Sequence, residues 1–235
     1  MNLLFIMLCN LLFVSCQNFT LEKKTLNLTS SNLLILKGEI NDKLASKFIH
    51  ELNKKDSKKQ LYVYLDTNGG SVDSGNKIIE EIKKYKLDCI ASKAISMGFA
   101  ILQACDKRYI TEYATLMQHQ MSYGIVNEKE KIESYVNYIK QIDDKLTNLQ
   151  VKKIKTTVSN FKKKTYNDWW LFGNNAVTEN CADEIIDIKC SPKLTNQNYT
   201  LDKGSYIYIY SKCPLIINHI DKIKNKNKEE FIFFI

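Results

Sequence analysis

Proline, glycine, arginine and histidine are all scarce in this chain of 235 residues. Two prolines and eight glycines exclude a collagen-like protein or a linker rich in these residues. Arg108 is the single arginine beside 33 lysines. Lysine lacks the planar fork with which arginine reads bases and clamps phosphates. The net charge of +8 is therefore weak evidence for nucleic acid, and we expect no nucleic-acid partner.

The sequence also lacks the motifs that would assign a metal or a cofactor. Its seven cysteines contain no CxxC pair, which argues against a zinc ribbon or a thioredoxin-like site. It has neither a GxGxxG fingerprint nor a Walker A loop, so it predicts neither a Rossmann fold nor ATP hydrolysis by this chain. We expect no metal and no cofactor in the chain itself.

What remains is an ordinary globular composition, with 44% hydrophobic and 26% charged residues. Short apolar runs alternate with segments of helical periodicity, and this alternation predicts an α/β layered domain. A long charged helix is predicted over 128–161, with a break near Thr156. The predicted strands are 32–37, 61–65, 87–91, 108–110, 115–119, 184–188 and 206–210. The other predicted helices are 43–53, 72–84, 96–105 and 176–180.

The chain begins with an apolar run from Leu3 to Val14. At about 12 residues this run is too short to span a bilayer, and its length fits the h-region of a signal peptide. Cys16 follows in LLFVSC, which resembles a bacterial lipobox. We interpret residues 1–16 as a signal peptide or membrane anchor, with Cys16 as a candidate for lipidation. A secreted or membrane-associated protein is expected, and a cytoplasmic or organellar one is the alternative, with the run buried as an N-terminal helix or strand.

Three N-x-Ser/Thr sequons begin at Asn18, Asn27 and Asn198. They are candidate N-glycosylation sites if the chain enters a eukaryotic secretory pathway.

The cysteines divide into two groups by their surroundings. Cys89 and Cys105 lie in apolar segments and are predicted to be buried thiols. Cys181, Cys190 and Cys213 are candidates for a disulfide, whose connectivity the sequence leaves open.

Three local features carry possible chemistry. Gly69 and Gly70 follow a predicted strand and would let a ligand approach the backbone closely. Ser96 lies where a strand passes into an apolar helix, beside free backbone N–H groups. His119 ends an apolar stretch and is one of only three histidines. Each feature alone has a simpler interpretation, namely a turn, a helix N-cap or a structural histidine.

Taken in order, these features resemble the proteolytic subunit of the ATP-dependent Clp protease. The resemblance extends from about Asn32 to Ile188, roughly two thirds of the chain, and its matching segments are LYVYLDTNGGSV, ASKAISMGFAILQACDKRYI and ATLMQHQM. The resemblance implies that Ser96 is the nucleophile and His119 is the base. It also implies an acidic partner in Asp168, before Trp169-Trp170, although Asp183 and Asp187 lie nearby.

Catalysis by such a set requires a base, because a serine hydroxyl is a poor nucleophile until its proton is removed. His119 would take that proton, and Asp168 would orient the imidazole. The backbone N–H groups of Gly69 or Gly70, together with that of Met97, would form the oxyanion hole. The resemblance therefore implies a serine endopeptidase that cleaves unfolded proteins or peptides through an acyl-enzyme.

The same resemblance implies a fold and an assembly. The fold is expected to be ClpP/crotonase-like, with repeated strand-turn-helix units and a long protruding handle helix. We expect residues 30–190 to form the peptidase domain and 191–235 to be a C-terminal extension. Homo-oligomeric stacked rings, polypeptide substrates and a separate Clp-type ATPase are the implied partners, with ATP needed only by that ATPase. Membrane association would occur through the N-terminus.

Two other functions remain open at this stage. The first is a membrane-associated protease resembling signal peptide peptidases, which would use a Ser-Lys pair with Lys93 as the nearest lysine. The second is a non-catalytic ring subunit or a crotonase-like acyl-CoA binder, in which paired backbone N–H groups act without the serine.

Overall fold

A six-stranded sheet supports most of the chain in this computed structural model, which describes residues 23–56 and 58–225. Its strand order is β2-β3-β4-β5-β6, with β7 beside β5, and all strands are parallel except β6. These strands are β2 (Leu33–Lys37), β3 (Tyr62–Thr67), β4 (Asp88–Ile95), β5 (Arg108–Gln118), β6 (Trp169–Phe172) and β7 (Glu184–Ile185). The predicted signal segment, Cys16 and Asn18 lie outside the described residues.

Helices connect the parallel strands in the predicted strand-turn-helix repeats. They are α1 (Asp42–Asn53), α2 (Val72–Tyr85) and α3 (Met97–Ala104). Asn41 caps α1, because its side-chain oxygen accepts a hydrogen bond of 3.0 Å from the Leu44 N–H. The three helices bury their apolar sides in one core with alternate residues of the sheet, so they form one layer over it. The α/β fold class is confirmed.

The predicted handle is the 26-residue helix α4 (Lys129–Ile154), which is about 39 Å long. Its first half is largely exposed, and its buried residues begin only at Leu146. The helix ends at Lys155 in the left-handed conformation, and α5 (Val158–Thr165) begins after the Thr157 cap. The break predicted near Thr156 is therefore confirmed. No helix among the described residues is both long and apolar enough to cross a membrane.

Two strand predictions were wrong in their boundaries. The segments 108–110 and 115–119 were predicted as separate strands but belong to the single strand β5. The β4–β5 pairing jumps from Ala91–Ile110 to Lys93–Thr115, so the polar residues between them bulge while the strand continues. The predicted strand 184–188 is divided at Ile186 into β7, which pairs with β5, and β8 (Asp187–Cys190).

The other face of the sheet has a second, smaller core. There β1 (Thr25–Leu28) pairs in parallel with β8, and Leu194 from the short helix α7 (Pro192–Thr195) is buried in the same cluster. The C-terminal extension continues as an antiparallel sheet in the order β11-β10-β9. Its strands are β9 (Asn198–Asp202), β10 (Tyr206–Ser211), which includes the predicted YIYIY strand, and β11 (Asp221–Lys224). The short helix α6 (Asn174–Thr178) completes the elements.

The cysteine pairing corrects one expectation and resolves another. Cys89 and Cys105 were predicted to be buried thiols; they are buried, but they form a disulfide with Cα atoms 5.8 Å apart. The chain returns to the start of β4 after α3, where the Asp106 N–H donates to the Leu87 carbonyl. This return is a tertiary feature that local sequence does not display.

The second disulfide lies within the group of cysteines for which one was anticipated. Cys190 pairs with Cys213, with Cα atoms 5.9 Å apart, and so ties the C-terminal extension to the end of β8. Cys181 is the free cysteine among the described residues, and burial raises the pKa of its thiol to about 12.

The two described sequon asparagines are both accessible. Asn27 lies on β1 and Asn198 begins β9, and each is exposed. They remain candidate glycosylation sites.

Candidate active site

Ser96 occupies a sharp turn between β4 and α3. Its backbone has φ 57° and ψ −117°, a conformation that costs a non-glycine residue free energy and that is concentrated at functional sites. Its N–H donates to the Met117 carbonyl at 2.9 Å, which ties the turn to the neighbouring strand. Ser96 does occupy the N-cap position of α3, but its hydroxyl makes no capping hydrogen bond. The turn instead leaves the hydroxyl free for another partner.

That partner is His119, which directly follows β5. Because β4 and β5 are adjacent parallel strands, their carboxyl ends bring the two residues together from 23 positions apart. The His119 Nε2 atom and the Ser96 Oγ atom are 2.7 Å apart, which is hydrogen-bond distance. A base in this position can remove the hydroxyl proton as the oxygen attacks.

Two backbone N–H groups beside Ser96 are free to hold a negatively charged oxygen. The N–H groups of Gly70 and Met97 have no acceptor among the described residues. The Gly69 N–H, which was also a candidate, donates to the Thr67 hydroxyl at 3.0 Å. Gly70 and Met97 are therefore two adjacent free donors of the kind that an oxyanion hole would require.

The glycine pair is required by close packing as well as by conformation. Gly69 and Gly70 have φ of +92° and +141°. A Cβ on Gly69 would lie 2.7 Å from the Ile95 carbonyl oxygen, and one on Gly70 would lie 2.3 Å from the Ile40 carbonyl oxygen. Any side chain at either position would therefore displace the loop that carries these N–H groups.

Asp168 lies next to the site but makes no hydrogen bond to His119. It precedes β6 with φ 56°, and its side chain is exposed without a hydrogen bond or ion pair among the described residues. The β5–β6 register pairs Gln118 with Trp169, so His119 and Asp168 are the next positions along the two strands. The structure thus brings Ser96 and His119 together, and places Asp168 at the adjoining strand position.

The two other aspartates near Asp168 in sequence have different surroundings. Asp187 lies on β8 in the separate two-stranded sheet. Asp183 binds Arg108, whose side chain is only 2% exposed. Burial alone would raise the pKa of Asp183, but hydrogen bonds from Arg108 outweigh this effect and lower the pKa below its usual value. Neither residue is therefore placed to serve His119.

The Arg108 network is a feature that the sequence did not indicate. Besides Asp183, its guanidinium donates to the Gln103 side chain at 2.7 Å and to the Asn180 carbonyl at 2.8 Å. The only arginine of the chain is thus used inside the domain, where it joins α3 to the segment after α6. A single arginine in the sequence gave no signal of this role.

Lys93 is not a neighbour of the Ser96 hydroxyl. Its ammonium lies 3.6 Å from the Asp66 carboxylate, in an ion pair at the edge of β3 and β4. The Ser96 hydroxyl has a histidine partner, so the geometry does not favour a Ser-Lys arrangement.

A cavity of about 550 Å³ opens beside Ser96 and His119. The loop after His119 forms one wall, and one side of α4 together with part of α5 forms the other. Gly70 and Met97 also line it, so the two free donors border the same cavity as Ser96 and His119. The described residues contain no cluster of three or more histidine, cysteine or acidic residues that could hold a metal ion.

The family model described as Clp protease matches residues 18–189 of this chain. The matched range includes every residue of the candidate site and the whole six-stranded sheet.

Proposed function

The chain belongs to the Clp protease family, and from that premise we propose that it is a serine endopeptidase with Ser96 as its nucleophile. The single observation that carries the proposal is the 2.7 Å contact between the Ser96 Oγ and His119 Nε2 atoms. The strained backbone of Ser96 and the two free donors support it, since each belongs to acyl-transfer chemistry.

The reaction would begin when the Ser96 oxygen attacks the peptide carbonyl and His119 takes its proton. The resulting oxyanion would accept hydrogen bonds from Gly70 and Met97. His119 would then give the proton to the leaving amine as the C–N bond breaks, which leaves an acyl-enzyme on Ser96. Water, activated by His119, would release the acid and restore the serine.

Asp168 is proposed as the residue that orients His119. Its position opposite His119 in the continued β5–β6 register supports this role. In the described conformation the two side chains are not hydrogen-bonded, so we propose that the turn before β6 adjusts when a substrate binds. The carboxylate would then hold the imidazole tautomer that leaves Nε2 free to accept the serine proton.

Polypeptides are the proposed substrates, and stacked homo-oligomeric rings are the proposed assembly. Support for an assembly comes from α4, whose exposed half carries Tyr135, Val136 and Tyr138. A Clp-type ATPase is a proposed partner, and no cofactor is proposed for the chain itself.

The two disulfides support a location in an oxidising compartment, because disulfides are rare in cytosolic proteins. This agrees with a secreted or membrane-associated protein. An ATPase partner would then need a source of ATP outside the cytosol. No observation in the site supports the Ser-Lys alternative. The free N–H groups of Gly70 and Met97 would also suit a crotonase-like binder, but the contact between Ser96 and His119 favours the peptidase.

The direct test is reaction of the native protein with a fluorophosphonate probe. We expect one stoichiometric covalent adduct, which mass spectrometry of a protease digest would map to Ser96. Heat-denatured protein should not react, because activation depends on the folded contact with His119. Absence of an adduct, or an adduct on another serine, would contradict the proposal.

Substitution of Asp168 by asparagine tests the third residue. We expect the kcat for peptide hydrolysis to fall by about 10⁴-fold, because an amide favours the wrong imidazole tautomer. The measurement is steady-state hydrolysis of a fluorogenic peptide, with circular dichroism as a check of folding.

The matched control is Asp187→Asn, which changes an exposed aspartate on β8 in the same way. It should retain the activity of the wild type. Equal activity of the Asp168→Asn protein and the wild type would exclude Asp168 from the catalytic set.

A further inference from the structure

The floor of the cavity beside Ser96 is rich in hydrogen-bonding side chains. Substrate pockets are usually lined by apolar groups with a few polar ones. Here the lining residues that are less than one tenth exposed are half polar. The apolar ones are Met97, Ala100, Leu146 and Phe161, and the polar ones are Gln118, Thr147, Gln150 and Thr165. None of these eight residues carries a formal charge.

The two glutamines are held in place by each other and by the backbone. The Gln118 amide nitrogen donates to the Gln150 side-chain oxygen, and its own oxygen accepts the His119 N–H at 3.1 Å. The Gln150 nitrogen donates to the Leu146 carbonyl at 3.0 Å. Each amide nitrogen carries two hydrogens. Each glutamine therefore keeps one N–H donor that these bonds do not use.

Thr147 offers the cavity a hydroxyl that the described residues do not use. The residue is only 6% exposed, and its hydroxyl makes no hydrogen bond to the described residues. Because no fully buried side-chain nitrogen or oxygen atom among these residues lacks a partner, the Thr147 hydroxyl must be open to the cavity. Thr165 differs, because its hydroxyl donates to the Phe161 carbonyl at 3.0 Å. A ligand in the cavity would remove water from this hydroxyl, so a ligand that supplies a hydrogen-bond partner in its place gains selectivity.

The charged residues of the cavity lie further out. Lys140 and Lys162 are exposed and Asp143 is partly exposed, so all three belong to the rim. A charged side chain that reached the floor would meet no counter-charge there. An aliphatic side chain would leave the spare N–H groups and the Thr147 hydroxyl unpaired.

We infer that Gln118, Thr147 and Gln150 form a subsite that selects peptides with a carboxamide side chain. The peptide residue whose carbonyl Ser96 attacks would be glutamine or asparagine, and its side chain would occupy this subsite. Its amide oxygen would accept from the spare glutamine N–H groups, and its NH₂ group would donate to the Thr147 oxygen. The inference rests on the proposed function, because it assigns a substrate preference to that same site.

The test compares peptides that differ only in glutamine or leucine before the scissile bond. For the wild type, kcat/KM is expected to be about tenfold higher for the glutamine peptide. Thr147→Val keeps the side-chain shape but removes the hydroxyl, and we expect it to reduce the ratio to about one. Thr178→Val is the matched control, since that threonine does not line the cavity and its hydroxyl donates to the Asn175 carbonyl at 3.1 Å, and it should leave the ratio unchanged.

A binding measurement separates this inference from the proposed function. Product-like peptide acids ending in glutamine or leucine would be titrated into the Ser96→Ala protein by calorimetry. Tighter binding of the glutamine peptide without any hydrolysis by the wild type would contradict the endopeptidase and support the subsite. A leucine preference, or a ratio that Thr147→Val does not change, would overturn the subsite and leave the endopeptidase intact. Absence of both binding and hydrolysis would overturn both.

Discussion

The Ser96→Ala protein is expected to lose peptide hydrolysis by a factor on the order of 10⁶ in kcat. The loss is this large because no acyl-enzyme can form and His119 has no hydroxyl to activate, so only the residual effect of the oxyanion donors and of substrate binding remains. Alanine adopts φ 57° no more readily than serine does, so the substitution should leave the backbone strain and the stability of the protein largely unchanged.

The Ser96→Gly protein separates the effect of the missing hydroxyl from the effect of the strained backbone. Glycine removes the same hydroxyl and also accommodates the left-handed backbone, so this protein should be inactive yet more stable than Ser96→Ala by about 1 kcal/mol. Urea unfolding of both variants gives the difference. Ser92→Ala, on the same strand, serves as a control that should retain activity. Substantial hydrolysis by either Ser96 variant would mean that another residue is the nucleophile.

The Asp183→Asn protein is expected to lose about 3 kcal/mol of its free energy of unfolding near neutral pH. Arg108 is 2% exposed, and removal of its carboxylate partner leaves a buried charge without compensation. We take the lower end of the usual range because the Asp183 side chain is 37% exposed and partly screened by water. Chemical denaturation at several pH values is the appropriate measurement.

The difference in stability between the wild type and Asp183→Asn should depend on pH. Arg108 lowers the pKa of Asp183 in the folded protein, so the stabilisation is fully present above the usual value of 3.8. It is lost as the pH falls below that value and through the folded pKa. The difference in stability between the wild type and Asp183→Asn should therefore narrow in acid. Asp187→Asn should change stability by no more than about 0.5 kcal/mol. Equal stability of all three proteins would show that the Asp183 carboxylate is not needed to compensate the buried charge of Arg108.

Local pattern was sufficient to predict the repeated strand-helix units. The apolar spacing in α1 and α2 relates residues only a few positions apart, so the sequence displays it directly. The local pattern failed to predict β5 as one strand. Its polar residues 111–113 resemble a turn but form a bulge that the flanking strands hold in place. The features that it missed depend on contacts between distant residues.

In the candidate site, too, local motifs were predictable and contacts between distant residues were not. Ser96 and His119 were recognised from short motifs, and the parallel strands bring them together. The choice between the Gly69 and Gly70 N–H groups depends on the Thr67 hydroxyl, which no motif contains. The polar cavity floor combines β5 with one side of α4, about thirty positions away. Only the folded chain places these groups around one cavity.

The disulfide between Cys89 and Cys105 has a topological consequence for a peptidase. It closes a covalent macrocycle in which the two cysteines are 16 positions apart, and Ser96 lies inside this ring. A single backbone cut within it opens the ring but releases no fragment, because both ends stay joined through sulfur. Autolytic nicking of the nucleophile segment would therefore be invisible on a non-reducing gel and appear only after reduction. The segment most important for catalysis is thus retained as one covalent piece even in a damaged molecule.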